Sequence, residues 1–156
     1  MSRIEDRLAE LGLVLPQVAA PVAAYVPAVL DGDRVWTSGQ LPFVDGALPA
    51  TGKVGTGAGL VPAEDAANLA RLCALNALAA VKSVLGDLDR VTRIVKVVGF
   101  VASDPAFTGQ PAVVNGASQL LGDVFGDAGV HARSAVGVAA LPLDAPVEVE
   151  LVAAIR

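Results

Sequence analysis

The spacing of apolar residues along the chain predicts two main helices. Between Pro62 and Gly86 apolar residues recur at helical spacing, so we expect one long helix bounded by the proline and the glycine. A second helical pattern occupies residues 104–125 and stops at Gly126. A shorter helix is expected near the start of the chain, because Ser2 is a favourable cap for the apolar stripe that follows it.

Other apolar stretches predict strands. Residues 91–102 are β-branched and almost continuously apolar, which is typical of a central strand buried on both faces. Residues 25–30 and 34–38 flank the turn sequence Asp31-Gly32-Asp33, so they predict a β-hairpin.

Two further strands are predicted at residues 132–141 and 147–155, on either side of a proline-containing turn. If that turn closes a simple hairpin, Ala139 faces Glu148, and Arg133 lies roughly 20 Å further along the sheet. One chain would then not bring Arg133 and Glu148 together, which favours a site completed by a second copy.

The order of these elements predicts an α+β fold. Counting one further strand before the first main helix, we expect a six-stranded mixed sheet with two main helices on one face and a short N-terminal helix. No repeat or linker divides the sequence, so residues 1–156 are expected to form a single domain, with residues 1–23 as helix and lead-in.

The last two strands carry the candidate chemistry. Because side chains alternate across a strand, Arg133 shares a face with Ala135, Gly137 and Ala139, a row small enough to leave space for a ligand beside the guanidinium. Glu148 likewise lies opposite the apolar face of its strand. The sequence therefore offers an anchor for an anion and a carboxylate that can hold water.

Composition narrows the classes of partner. The chain has 156 residues, a net charge of −5 and 4% aromatic residues, so neither phosphate attraction nor base stacking supports nucleic-acid binding. An apolar content of 54% and a mean hydropathy of +0.60 indicate surface hidden in an oligomer, unless the many Ala and Val residues alone raise the index.

One cysteine and one histidine exclude an internal disulfide and disfavour a metal site. A reducing cytoplasm fits this composition, and the charged N-terminus is not expected to be a secretory signal. Cys73 lies on the apolar face of the long helix and is interpreted as a buried small hydrophobe. The uncharged stretch 11–30 contains three prolines, so we expect loop and strand there and no membrane span. The glycine-rich segment 46–59 matches neither the Walker pattern of phosphate-binding loops nor the glycine pattern of dinucleotide-binding domains.

Several stretches together resemble the RidA/YjgF family of imine deaminases, also called L-PSP endoribonuclease-like proteins. The resemblance covers residues 24–154 and rests on these motifs: AYVPAV at 24–29, WTSGQLP at 36–42, ALNALAAVKSVLG at 74–86, DPAF at 104–107, VVNG at 113–116 and ARSAVGVAALPLDAPVEVE at 132–150. It implies a chorismate mutase-like fold, a homotrimer with clefts between subunits, and hydrolysis of 2-imino or enamine acids to 2-keto acids and ammonia without metal or cofactor.

The resemblance also implies roles for individual residues. Arg133 corresponds to the arginine that holds the substrate carboxylate, and Glu148 to the glutamate that positions water. The substrate-binding residues of the cleft correspond to Tyr25, Gly39, Asn115 and Ala135. Ala135 stands where many members have cysteine, so only its backbone carbonyl can serve. The N-terminal helix and long lead-in are further departures.

The residues themselves leave other readings open. Arg133 is otherwise an exposed arginine paired with an acid, and Glu148 part of a solvated face. Tyr25 is otherwise a rim residue and Asn115 a backbone cap, while His131 is expected to be a loop residue near the cleft and not a base. Two other functions also remain: a trimer that binds small carboxylic acids without turnover, and an endoribonuclease, which the acidic charge disfavours.

Overall fold

The computed structural model describes residues 2–18 and 24–156. Within them, strands form one mixed sheet, and helices pack against one of its faces. The elements are β1 (Ala28–Asp31), β2 (Arg34–Thr37), β3 (Val91–Ala102), β4 (Ala132–Val138), β5 (Val147–Ile155), α1 (Arg3–Glu10), α2 (Ala63–Leu85) and α3 (Gln110–Phe125). The predicted α+β architecture is confirmed.

The expected sixth strand is wrong for the described part of the chain, where the sheet has five strands. The segment between β2 and α2 forms only isolated bridges, such as Val54 with Val61 and with Ser103. Four of its glycines adopt positive φ angles, among them Gly52 at 111° and Gly57 at 126°. Such backbone turns interrupt the regular alternation that a strand ladder needs.

The strand order is β1-β2-β5-β3-β4, with β3 and β4 parallel and the other neighbours antiparallel. A hairpin between the last two strands, with Ala139 facing Glu148, is therefore wrong. Helix α3 connects β3 to β4 as a parallel crossover, and the chain then passes β3 to form β5 on its other side. The long apolar β3 is thus paired along both edges, as expected for a central strand.

The three predicted helices are present. Ser2 Oγ accepts a hydrogen bond from Glu5 N at 3.2 Å and caps α1. The long helix α2 follows Pro62 and ends at Gly86, which has a φ of 76°. The last helix begins later than expected, because residues 104–109 form a turn at 105–106 and irregular backbone before α3.

Helix α2 is the element that fills the core. It is long and apolar enough to cross a membrane by length and composition alone, yet 61% of its apolar window is buried within the domain, as in a core helix. Part of the uncharged stretch 11–30 lies outside the described residues. The described part has no helix or strand until β1.

Among the described residues, no helix covers the second face of the sheet. Its apolar side chains, called here the open face, are Val29, Trp36, Val98, Phe100, Val136 and Val152. Trp36 is 52% exposed and Val136 is 43% exposed. The prediction that β3 is buried on both faces therefore holds for a single chain only on the helix side.

Candidate functional site

Arg133 lies near the start of β4 and points toward the helix layer. It pairs with Val97 of β3, which is fully buried beneath the helices, and paired residues of neighbouring strands share a face. Its guanidinium reaches α3, where Nη1 donates to Asn115 Oδ1 at 2.7 Å and Ser118 Oγ at 3.2 Å. Nη2 donates to the carbonyl of Pro111 at 3.3 Å. Helix α3 thus holds the guanidinium at one end.

These three partners form a stripe along α3. Pro111, Asn115 and Ser118 recur at helical spacing, so they face the same way, while the buried residues of α3 face the core. Ser118 was not singled out in the sequence. The available signal was its position three residues after Asn115, on the side of the helix away from the buried apolar residues.

The hydrogen bonds leave one edge of the guanidinium available. Both Nη1 hydrogens and one Nη2 hydrogen have partners, whereas Arg133 Nε–H and the second Nη2–H have none among the described residues. Nε and an Nη nitrogen together bind a carboxylate through two parallel hydrogen bonds. Arg133 is therefore anchored and still able to bind a small acid.

A hollow of about 320 Å³ adjoins this guanidinium. It is lined by Ser118, Gly122, Gly129, Val130, His131 and Arg133. Further along the small-residue row, the space above Gly137 is filled, because a Cβ there would lie 2.8 Å from Gln110 Nε2. Ala135 is half-buried and packs against the core. The free space thus lies toward α3 and His131, at the start of β4.

Glu148 lies in a different place. It pairs with Phe100 of β3, on the face of the sheet away from the helices. A Cβ at Gly39 would lie 1.9 Å from Glu148 Oε1, so the carboxylate occupies the space that the glycine leaves. Burial, followed by repulsion from Glu150, raises the pKa of Glu148. No described residue donates a hydrogen bond to this carboxylate, which leaves it free to accept one from water.

Tyr25 precedes β1 and is 50% exposed. The backbone beside it runs along the end of β2, where Ser38 N donates to the Pro27 carbonyl and Ser38 Oγ to that of Val26. This places the tyrosine segment next to Gly39.

The predicted site residues therefore form two groups in one chain. The arginine group consists of Arg133, Asn115 and Ala135, and the glutamate group consists of Tyr25, Gly39 and Glu148. Their partners on β3, Val97 and Phe100, are separated by an odd number of positions, so the two groups lie on opposite faces of the sheet. Two strand spacings and three residues separate their backbones by roughly 14 Å. One chain does not bring Arg133 and Glu148 to the same small molecule.

Cys73 takes no part in either group. Its thiol is buried on α2, and burial, followed by the charge of Glu148, raises its pKa well above the ordinary value. A protonated buried thiol is a poor nucleophile. The described residues contain no cluster of side chains suited to a metal ion.

Comparison with known proteins agrees with this architecture. A family model described as YjgF/chorismate mutase-like, putative endoribonuclease, matches residues 5–155. The crystal structure of Atu1372, a protein of unknown function from Agrobacterium tumefaciens, is 46% identical with a TM-score of 0.90, covering 98% of this chain and 92% of that one. A putative endoribonuclease from Shewanella oneidensis MR-1 is 34% identical with a TM-score of 0.92, covering 97% and 99%.

A more distant structure, TdcF of E. coli with bound serine, is 27% identical with a TM-score of 0.64, covering 90% of this chain and 94% of that one. The class is thus a chorismate mutase-like α+β domain, with five sheet strands in the part of the chain that the structure describes. The chain belongs to the RidA/YjgF family, and the resemblance of its motifs is confirmed.

Proposed function

We propose that the protein hydrolyses reactive 2-imino or enamine acids to 2-keto acids and ammonia, in clefts between the subunits of a homotrimer. The observation that carries this proposal is the guanidinium of Arg133, which α3 anchors at one end while Nε–H and an Nη2–H stay available. TdcF, a structural relative, has serine bound, and serine also carries a carboxylate beside a nitrogen-bearing carbon.

Arg133 holds the substrate carboxylate through two hydrogen bonds. A guanidinium stays charged at any working pH, and its planar fork fixes the direction of the bound acid. The adjacent imine carbon is thereby placed at a defined distance from the cleft wall. Positioning of this kind supplies much of the rate in reactions between two bound partners.

Glu148 of a second copy positions the attacking water and accepts a proton from it. Its carboxylate accepts a proton as the water oxygen attacks the iminium carbon, which forms a carbinolamine. Glu148 then returns the proton to the amine nitrogen and takes up the carbinolamine hydroxyl proton as the carbon–nitrogen bond breaks. The 2-keto acid and ammonia leave, and the proton on Glu148 passes to ammonia, which restores the carboxylate. The raised pKa of Glu148 suits the attack of water, because it makes the carboxylate a better base. An iminium carbon is already electrophilic, so the reaction needs neither a nucleophilic side chain nor a cofactor.

Assembly is required because the two groups lie on opposite faces of the sheet. The open face supports assembly, since Val29, Trp36 and Val136 are each at least 43% exposed in the single chain. Apolar surface of this kind favours burial against another molecule. The trimeric count comes from the family resemblance.

A second candidate is a trimer that binds small carboxylic acids without turnover. The same free edge of Arg133 favours it, and TdcF holds an amino acid. An endoribonuclease activity has less support, although a structural relative carries that description. The net charge of −5 opposes binding of a polyanion.

The test is release of ammonia and keto acid from an imino acid generated in the same vessel by an amino acid oxidase. We expect the wild-type protein to accelerate release and Arg133→Ala to abolish the acceleration with the oligomer intact. Arg34→Ala is the matched control, because Arg34 forms only a surface pair with Asp33. Binding of a keto acid without faster hydrolysis would select the second candidate, and an undiminished rate in Arg133→Ala would refute the proposal.

A further inference from the structure

Arg133 is held by a chain of hydrogen bonds that continues beyond its direct partners. His131 Nδ1 lies 2.6 Å from the carbonyl oxygen of Gly129, and His131 Nε2 lies 2.9 Å from Ser118 Oγ. Ser118 Oγ in turn lies 3.2 Å from Arg133 Nη1. The histidine directly precedes β4 and the serine lies on α3, so this chain links the two elements that flank the hollow.

The partners fix the direction of each hydrogen bond. A carbonyl only accepts, so His131 Nδ1 carries a hydrogen, and Nε2 of the neutral ring is then an acceptor. Ser118 therefore donates its single hydroxyl hydrogen to Nε2. Its remaining lone pairs point away from that hydrogen and accept from Arg133 Nη1. The three hydrogen bonds then run in one direction, from Arg133 through Ser118 and His131 to the Gly129 carbonyl.

We infer that Ser118 and His131 are positioning residues for Arg133, which orient its guanidinium so that the Nε–Nη2 edge faces the substrate acid. This inference rests on the proposed function, since it assigns a role within the same site. Asn115 and Pro111 bind the guanidinium from the other positions of the stripe. Without Ser118, Nη1 keeps one partner, and the plane of the guanidinium is no longer fixed on both sides. His131 acts through Ser118 by directing the serine hydrogen away from the arginine.

The first measurement needs no ligand. In protein with ¹⁵N-labelled arginine, restricted rotation gives the Nη hydrogens of an anchored guanidinium separate NMR signals, and the Arg133→Lys spectrum identifies those of Arg133. We expect separate signals in the wild type, merged signals in Ser118→Ala, and separate signals again in Ser118→Thr, which keeps the hydroxyl. Gln119→Ala, the exposed neighbour on α3, is the matched control. Unchanged signals in Ser118→Ala would overturn the inference.

The second measurement is the Kd of pyruvate, a simple 2-keto acid. Ser118 orients the guanidinium and does not itself hold the ligand, so its loss should have the effect of an ordinary hydrogen bond and raise the Kd in Ser118→Ala about three- to tenfold. His131→Phe should raise the Kd in the wild-type background and leave it unchanged in the Ser118→Ala background. Equal effects of His131→Phe in both backgrounds would mean that His131 contacts the ligand directly and would overturn its role through Ser118.

The two measurements separate this inference from the proposed function. If the wild type binds no pyruvate and hydrolyses no imine, but its anchored Arg133 signals merge in Ser118→Ala, the restraint stands and the proposed function fails. If pyruvate binds and Ser118→Ala, folded by its thermal unfolding midpoint, binds it within twofold of wild type, the inference fails and the proposed function stands.

Discussion

Gly39 lies directly beside the carboxylate of Glu148, and a Cβ at position 39 would come within 1.9 Å of Glu148 Oε1. The backbone of Gly39 does not adopt a positive φ, so it is the neighbouring carboxylate that excludes a side chain. Steric exclusion therefore explains why the WTSGQLP motif has a glycine at position 39. It leaves the space in which the glutamate is partly withdrawn from water.

Gly39→Ala is expected to destabilise the protein by about 1–3 kcal/mol, the usual cost of overpacking, and to displace the carboxylate. The free energy of unfolding by urea measures this cost. In the Glu148→Ala background the same substitution should cost much less, because its collision partner is absent. An equal cost in both backgrounds would show that another contact excludes the side chain.

Glu148→Gln is expected to raise stability at neutral and alkaline pH. Because burial and Glu150 raise the pKa of Glu148 in the folded state, the folded protein holds a proton more tightly than the unfolded chain. The ionised Glu148 therefore destabilises the folded wild type. This destabilisation is absent below the pKa of Glu148 in the unfolded chain and fully present above its raised pKa in the folded state.

Thermal unfolding midpoints of both proteins, measured at one concentration, check this sign. The unfolding midpoint of the variant should be higher than that of the wild type at pH 8, and the difference between the midpoints should shrink toward zero near pH 4. A variant that is less stable than the wild type at pH 8 would contradict the cause assigned to the raised pKa.

Trp36→Glu is expected to disrupt assembly. Trp36 lies between Val29 and Val152 on the open face and is 52% exposed in the single chain. The substitution removes a large apolar side chain and buries a carboxylate, whereas Lys96, which lines the same pocket, already donates a hydrogen bond to Ser134 Oγ. The loss of apolar contact and the desolvation of the charge would both oppose association. Light scattering should give about three times the 15.7 kDa chain mass for the wild type and the single-chain mass for the variant.

Val14→Glu is the matched control, because Val14 is 82% exposed and lies outside the sheet. It should leave the assembly intact. Unaltered mass in Trp36→Glu would mean that the open face is not the contact between copies.

Local sequence patterns predicted the helices and strands well, but they predicted less well which strands lie next to one another. The β-branched run of β3 and the glycine after α2 act through their own backbone, so both were predicted from the sequence. The position of β5 depends on which edge of β3 remains free after the α3 crossover. That information lies in long-range packing, so a simple hairpin with β4 was the wrong expectation.

The candidate site shows the same division. Arg133 and Glu148 were predicted from alternation along their strands and from family motifs. Ser118 and the Pro111 carbonyl were not, because a serine and a backbone oxygen carry no chemical signal until α3 is placed against β4. The segment before α2 was expected to add a strand, yet its glycines allow the turns that are found instead.

The central claim is that Arg133 of one copy and Glu148 of another act on the same bound substrate. It is tested most directly by mixing two inactive variants, Arg133→Ala and Glu148→Gln, in equal amounts and allowing their subunits to exchange. Each cleft then receives its arginine and its glutamate from different chains, so about a quarter of all clefts in a randomly exchanged population of trimers contain both native residues. We predict imine hydrolysis at about a quarter of the wild-type rate for the whole exchanged sample, in which mass measurement verifies that mixed trimers have formed. A rate no higher than that of either variant alone, with mixing confirmed, would contradict the claim.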